Sequence, residues 1–223
     1  MRQTFEEELT SLHHHFSEMG MMVNEAIYKS VKSFINHDKE LAQEVIDHDH
    51  QINELELTLE KKCFELIALQ QPVTSDLRRI VTVMKACADL ERMGDHAVSI
   101  ARSTIRVKGT KRIPQIEVKI AELSEKVKVI VRAALEAYLK KDVQQARQTA
   151  DSDDAINALS KEIFEQCIEE MKADPELVIC GTDYLLVSRY LERIGDYVTN
   201  ICEWVIYLET GKITELNSNH TFN

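Results

Sequence analysis

The chain has 223 residues, a formal net charge of −11 and 29% charged side chains. The negative charge argues against a nucleic-acid partner, because binding a phosphate backbone requires clustered lysine and arginine. It is compatible with a cation ligand or a basic protein partner, and it disfavours direct binding of free phosphate without a metal. With only 6 glycines and 3 prolines, the chain is expected to be an all-α protein made of a few long helices.

The cysteines and the N-terminal segment bear on the compartment. The 5 cysteines are odd in number and show no CxxC spacing, which favours reduced thiols in a cytoplasmic protein. The segment MRQTFEEEL lacks the apolar stretch of a signal peptide. No window approaches the ~18 consecutive apolar residues of a membrane span. We therefore expect a cytoplasmic protein that meets a membrane at most peripherally, through its partners.

Apolar residues recur three and four positions apart along most of the chain, which is the spacing of one face of an α-helix. Successive stripes run from Leu9 to Phe34, from Ile52 to Leu66 and from Ala86 to Ala101. Each proline is expected to mark a helix boundary, because proline is tolerated only at the start of a helix. The predicted helices lie near 3–36, 39–70, 75–107, 115–140, 143–172 and 176–210.

The second half of the sequence repeats the first. A shift of 104 residues aligns the second predicted helix with the fifth, and a shift of 101 aligns DLERMGDH (89–96) with YLERIGDY (190–197). The repeat predicts six long helices arranged as two tandem, internally duplicated three-helix bundles. We assign residues 1–108 to the first bundle, 115–212 to the second and 213–223 to a flexible tail.

Each copy of the repeated motif places two carboxylates four residues apart on one face of a helix, beside the core stripe. These pairs are Glu91 with Asp95, and Glu192 with Asp196, and Asn200 extends the second pair by another turn. Each motif also contains a glycine, which costs a helix about 1 kcal/mol relative to alanine. One interpretation is a bound cation, for which oxygen ligands favour Mg, Mn or Fe. The alternative is an ion pair with a neighbouring helix and a close helix crossing at the glycine.

A second duplicated pair lies on the preceding helix of each bundle. Asp49 is followed four residues later by Asn53, and Asp153 is followed in the same way by Asn157. An antiparallel arrangement of the two helices would bring Asp49 near Asp95 and Asp153 near Asp196, so both aspartates are further candidate metal ligands. The alternative for Asp49 and Asp153 is a role as helix N-caps.

The stretch DLERMGDHAVSIA, preceded by QPVTSDLR, resembles the PhoU family of phosphate-uptake accessory proteins. The resemblance implies a cytoplasmic regulator, often a homodimer. It also implies partners in the ATPase subunit of the phosphate ABC transporter and in a sensor histidine kinase, with repression of the phosphate-starvation response when phosphate is plentiful. Some family members hold multinuclear iron or zinc clusters through the acids of this motif. By position, that role passes to Glu91, Asp95, Glu192 and Asp196, and more weakly to Asn200.

The chain contains no nucleophile–base pair and no phosphate-binding glycine loop, so we do not expect an enzyme.

Two other interpretations of the acidic motifs stay open. A ferritin-like di-iron carboxylate protein would need an ExxH motif, and the sequence has none. A metal-free helical adaptor is the remaining alternative. This sequence also has Asn53 and Asn157 where the family frequently has aspartate, and an amide ligates through its oxygen without adding charge.

Overall fold

The computed structural model of the chain describes residues 2–216. Within these residues the chain forms seven α-helices and one short 3-10 helix. They are α1 (Arg2–Asn36), α2 (Lys39–Gln70), α3 (Thr74–Val107), α4 (Pro114–Lys140), α5 (Val143–Asp151), α6 (Asp153–Ala173), the 3-10 helix (Pro175–Leu177) and α7 (Val178–Thr210). Of the predicted tail, residues 217–223 lie outside the described residues, and 213–216 follow α7 without regular structure.

The all-α prediction is confirmed, with one correction to the predicted helix at 143–172. That helix is divided at Ser152 into α5 and α6. The division falls in the stretch Asp151–Asp154, where serine and aspartate side chains compete for backbone hydrogen bonds. Ser152 Oγ donates to the carbonyl of Gln148 (2.9 Å), and two aspartates then occupy the first turn of α6, where the helix dipole favours negative charge.

The duplication is visible in the way corresponding helices begin. Asp38 caps α2 by accepting from the backbone N–H of Leu41 at 2.9 Å. Asp142, which is 104 residues later, caps α5 by accepting from the N–H of Gln145 at the same distance. A shared cap geometry at matching positions shows that the repeat in sequence is a repeat in backbone structure.

The core of each half forms along the predicted apolar stripes. Helices α1, α2 and α3 pack on one another, α4 packs with α5, α6 and α7, and α3 lies along α7. The residues of the first predicted stripe are buried, from Leu9 to Phe34, as are those of the third. Buried side chains of both halves belong to one continuous apolar cluster. The boundary between residues 1–108 and 115–212 as separate domains stays a prediction.

A buried carboxylate fixes the junction between the two halves. Glu117, in the first turn of α4, accepts from Tyr184 Oη (2.6 Å) and from Arg112 Nε (2.9 Å), and it bonds with His37 Nε2 (3.0 Å). Burial opposes ionisation of Glu117, but these hydrogen bonds outweigh it and lower its pKa. The α1–α2 turn, the α3–α4 connection and α7 are therefore held to one charged group.

Two further findings concern the helices and the cysteines. None of the helices within residues 2–216 combines the length and the apolar character needed to span a bilayer. The five cysteines are free and buried. Burial raises the pKa of Cys63 and Cys167 to about 12, so both thiols stay protonated near neutral pH.

Candidate functional site

Four carboxylates gather where α2 packs on α3, and we call them the first acidic face: Asp49 and Glu56 on α2, and Glu91 and Asp95 on α3. Burial, followed by the nearby charges of Asp95, Glu56 and Asp49 in that order, raises the pKa of Glu91 to about 7. Burial and then the charge of Asp95 raise the pKa of Asp49. The first acidic face therefore resists full ionisation near neutral pH.

No basic side chain in the described part of the chain forms an ion pair with the first acidic face. Arg92 follows Glu91 in the sequence, but its Nη1 pairs with Asp89 at 3.5 Å. Asp49 Oδ2 accepts from the amide of Asn53 at 3.2 Å. Asp49 Oδ1 and Asn53 Oδ1 are buried and have no hydrogen-bond partner among the described residues. The face thus presents carboxylates without an ion pair, and two buried oxygen atoms without a hydrogen bond, among the described residues.

The matching carboxylates of the second half are Asp153 on α6 with Glu192 and Asp196 on α7, and we call them the second acidic face. Glu192 forms an ion pair with Arg189 and accepts from Ser160 Oγ at 3.0 Å. Asp196 forms an ion pair with Arg193 at 3.1 Å. Two of the three carboxylates of this face are therefore compensated by arginines of their own helix.

The difference between the faces comes from a few positions where the repeat has diverged. The first half has Glu56 where the second has Ser160, so a fourth acid replaces a hydrogen-bond donor. It has Ala88 where the second half has Arg189, so the arginine that would pair with Glu91 is missing. Asp89 stands where the second half has Tyr190, and it forms an ion pair with Arg92.

The glycine in each motif allows the preceding helix to approach closely. A Cβ added at Gly195 would lie 2.2 Å from Asp153 Oδ1, which occupies the space that any side chain would fill. A Cβ at Gly94 would lie 3.3 Å from Ile52 Cδ1 and 3.9 Å from Asp49 Oδ1. A close approach of the preceding helix is present at Gly195, whereas at Gly94 the nearest atom is the flexible end of the Ile52 side chain. The companion idea, an ion pair between Glu91 and a basic residue of a neighbouring helix, finds no such pair among the described residues, and Glu192 and Asp196 pair with arginines of α7 itself.

The N-cap interpretation of Asp49 and Asp153 is wrong. Asp49 lies in the interior of α2, which is capped by Asp38. Asp153 is the first residue of α6, after the capping position at Ser152. Both aspartates instead hold the asparagine four residues later, and Asn157 Nδ2 donates to Asp153 Oδ2 at 2.9 Å.

Asn200 does not join the second acidic face through its amide nitrogen. Its Nδ2 donates to Asp89 Oδ1 at 3.3 Å, and Trp204 Nε1 donates to Asp89 Oδ2 at 3.2 Å. Asp89 is only 5% exposed, and burial raises its pKa although both hydrogen bonds lower it. These bonds tie α3 of the first half to α7 of the second.

The two acidic faces differ in how well they suit the predicted metal ion. Among residues 2–216, no group of three or more His, Cys, Asp or Glu side chains is arranged to hold a metal ion. The donor chemistry of the first acidic face suits a hard cation, because its ligands are all oxygen atoms and its charge is uncompensated. At the second face, Glu192 and Asp196 would first have to leave their arginines. The assignment of metal ligands stays a prediction.

The sequence did not single out three residues that matter here: Glu56, Arg189 and Asp89. Glu56 lies seven residues after Asp49 and so shares its helix face, a spacing that would have revealed it. Arg189 corresponds to Ala88 in the first half. A comparison of the positions at which the two copies differ would have revealed this arginine. Asp89 gave no such signal, because its partners Asn200 and Trp204 come from the other half.

The chain was compared with known protein families and structures. The family model described as "PhoU domain" matches residues 16–104 and 120–205. A protein of Clostridium acetobutylicum named "Phosphate-specific transport system accessory protein PhoU homolog" is 39% identical over 97% of this chain and 99% of its own length. A Streptococcus pneumoniae protein of the same name is 37% identical over 97% of this chain and all of its own length.

Solved structures agree with the sequence relatives. The crystal structure of the phosphate transport system regulatory protein PhoU from Streptococcus pneumoniae matches with a TM-score of 0.90 and 33% identity, covering 95% of this chain and 100% of that one. The crystal structure of PhoU from Pseudomonas aeruginosa matches with a TM-score of 0.89 and 33% identity, covering 93% and 100%. The two acidic faces, the duplicated helices and these matches lead to one conclusion: the chain belongs to the PhoU family.

Proposed function

We propose that this protein is a negative regulator of phosphate uptake and of phosphate-starvation signalling. It acts at the cytoplasmic face of the membrane, as a homodimer and without catalysis of its own. Its partners are the ATPase subunit of the phosphate ABC transporter and a sensor histidine kinase. Membership of the PhoU family supports the general role, and relatives are named as accessory or regulatory proteins of phosphate transport.

The observation that carries the proposal is the uncompensated charge of the first acidic face. The charge of Asp95 helps to raise the pKa of Glu91, Asp49 and Glu56, so the free energy of this surface falls when positive charge arrives from outside. That charge is supplied by a divalent cation or a small cluster, of iron or zinc or alternatively manganese or magnesium, held by Asp49, Glu91 and Asp95. The cation would relieve the repulsion and offer open coordination positions to an acidic group of a partner.

The second acidic face takes a different part in the proposal. Asp153, Glu192 and Asp196 gain less from a cation, because Arg189 and Arg193 already balance two of them. The second face therefore binds metal more weakly and serves mainly to hold α6 against α7. Substitutions in the second acidic face can therefore serve as controls for the same substitutions in the first.

Capture of the transporter ATPase from a phosphate-replete lysate tests this proposal. The full chain is compared with the double variant E91Q/D95N, and E192Q/D196N is the matched control. We expect E91Q/D95N to reduce ATPase recovery at least several-fold and E192Q/D196N to reduce it much less. Equal recovery by the unmodified chain and E91Q/D95N would contradict a role for the first acidic face in partner binding.

A metal-free helical adaptor is a second candidate, because the described residues contain no ready-made group of three metal ligands. Elemental analysis of protein purified without chelator separates the two. A bound transition metal at a defined stoichiometry supports the metal-bearing face. No bound metal, together with no thermal shift on adding Fe, Mn or Zn, supports the adaptor.

A further inference from the structure

A cavity of about 240 Å³ lies away from both acidic faces, between α1, the first turns of α3 and the ends of α4 and α7. Its lining includes His13, Arg79, Tyr138 and Lys141, with Leu139 and Leu208 as apolar walls. None of these residues belongs to the duplicated motif or takes part in the proposed function. The cavity is therefore a separate feature that needs its own explanation.

The cavity collects positive charge in a chain whose net charge is −11. Lys141 forms no ion pair among the described residues, whereas Arg79 lies 3.3 Å from Glu6 and 3.9 Å from Asp76. Burial, followed by the charges of Arg79 and Lys141, lowers the pKa of His13 to about 4. His13 is therefore neutral near pH 7, and Lys141 is the lining cation that has no carboxylate paired with it among the described residues.

Hydrogen-bond donors accompany this charge. His13 Nδ1 forms a short hydrogen bond with the hydroxyl of Tyr138. When the hydroxyl donates, Nε2 carries the imidazole proton, and Nε2 is buried with no hydrogen-bond partner in the described part of the chain. Arg79 Nε is likewise buried without a partner there. Both nitrogens are therefore donors that a bound acceptor in the cavity could use.

We propose that this cavity binds a small tetrahedral oxyanion, with inorganic phosphate or a phosphomonoester group as the ligand class. Arg79 and Lys141 supply the charge, and His13 Nε2 supplies a neutral donor. Guanidinium groups bind such oxyanions through paired hydrogen bonds, and ammonium groups bind them as point charges. The inference rests on the cavity alone, and it revises the expectation from net charge that free phosphate would not bind without a metal.

Isothermal titration of the full chain with inorganic phosphate at pH 7.5 tests the proposal, in buffer that contains a chelator and no other oxyanion. We expect saturable binding with a Kd below about 1 mM. K141Q, which removes one cation from an exposed helix end, should weaken binding about tenfold, as expected for one charge-assisted hydrogen bond. R79Q provides a second variant, with thermal unfolding as a check that each variant folds.

The matched control is K140Q, which removes the same charge from the adjacent residue, outside the cavity lining. K140Q should leave the affinity within about twofold, which is the size of a general electrostatic effect. Parallel titrations with sulfate and methyl phosphate distinguish a general oxyanion site from one for free phosphate or for a phosphorylated group. No saturable binding of any of the three, or equal loss in K140Q and K141Q, would overturn the proposal.

Discussion

The two halves of the molecule carry the same acidic motif on corresponding helices, yet they balance its charge in different ways. In the second half, Arg189 and Arg193 pair with Glu192 and Asp196. In the first, Arg92 is taken by the buried Asp89, and burial with neighbouring acids raises the pKa of Glu91 to about 7. A duplication has preserved the backbone, the caps and the glycines, while the charges around the motif have diverged.

This difference shows which positions of a duplicated motif can diverge in function while the fold stays the same. The helix crossing depends on the glycine and on the residues buried beneath it, so it constrains both copies alike. Charge compensation depends on side chains at the edge of the core, which can change without altering the fold. An LERxGD motif therefore does not by itself define a binding site, since the residues that neutralise it decide whether a cation is needed.

The largest expected difference between the faces is their response to a divalent cation. In chelator-treated protein, Mn²⁺ at one hundred times its Kd should stabilise the folded state by about 2.7 kcal/mol. For a chain of this size, that corresponds to a rise in Tm of about 5–10 °C. E91Q/D95N should abolish the rise in differential scanning fluorimetry, and E192Q/D196N should retain most of it. An equal loss in both double variants would show that the faces are equivalent.

The next comparison is between the two glycines. G195A should destabilise the protein by about 1–3 kcal/mol relative to G94A, because its new Cβ displaces the buried carboxylate of Asp153. At Gly94 the nearest atom is the flexible Ile52 Cδ1, and alanine regains about 1 kcal/mol of helix propensity. Urea unfolding of the two variants measures the difference. Equal stabilities would mean that α6 does not approach α7 more closely than α2 approaches α3.

Asp89 links the first acidic face to the second half, and its removal should have a smaller effect. D89A leaves Trp204 Nε1 and the Asn200 amide without their acceptor, at a cost of about 1 kcal/mol for each lost bond. It also frees Arg92 to pair with the acids of its own face, which should lower the pKa of Glu91. Y190F, at the matching position of α7, should change stability by less than about 0.5 kcal/mol. A D89A variant as stable as Y190F would contradict the linking role.

How much the sequence could predict depends on how local the determining interactions are. Helix periodicity, proline positions and the repeat are local patterns, and they gave the helices to within two residues except at Ser152. The carboxylate pairs at Glu91 and Glu192 are equally local and were found. Whether a neighbouring arginine pairs with these acids depends on its rotamer. The role of Asp89 depends on packing between α3 and α7, which no spacing along one helix encodes.

The pH dependence of stability is a further test of unequal charge compensation. The folded-state pKa of Glu91 is about 7, above its ordinary value of 4.5. Between these pH values the folded state binds more protons than the unfolded state, so the contribution of Glu91 to stability is lost as the pH rises through about 7. In E91Q this loss should be absent, and unfolding free energies at pH 5 and pH 7.5 should differ less than in the unmodified chain.

The deciding measurement is therefore the free energy of unfolding of E91Q and E192Q at pH 7.5, in chelator-treated protein. E91Q should be more stable than the unmodified chain by roughly 0.2–0.5 kcal/mol, because a repulsive i,i+4 pair is removed. E192Q should be less stable by roughly 0.2–1 kcal/mol, because it loses the ion pair with Arg189. Opposite signs would support unequal faces, and a change of the same sign in both variants would contradict them.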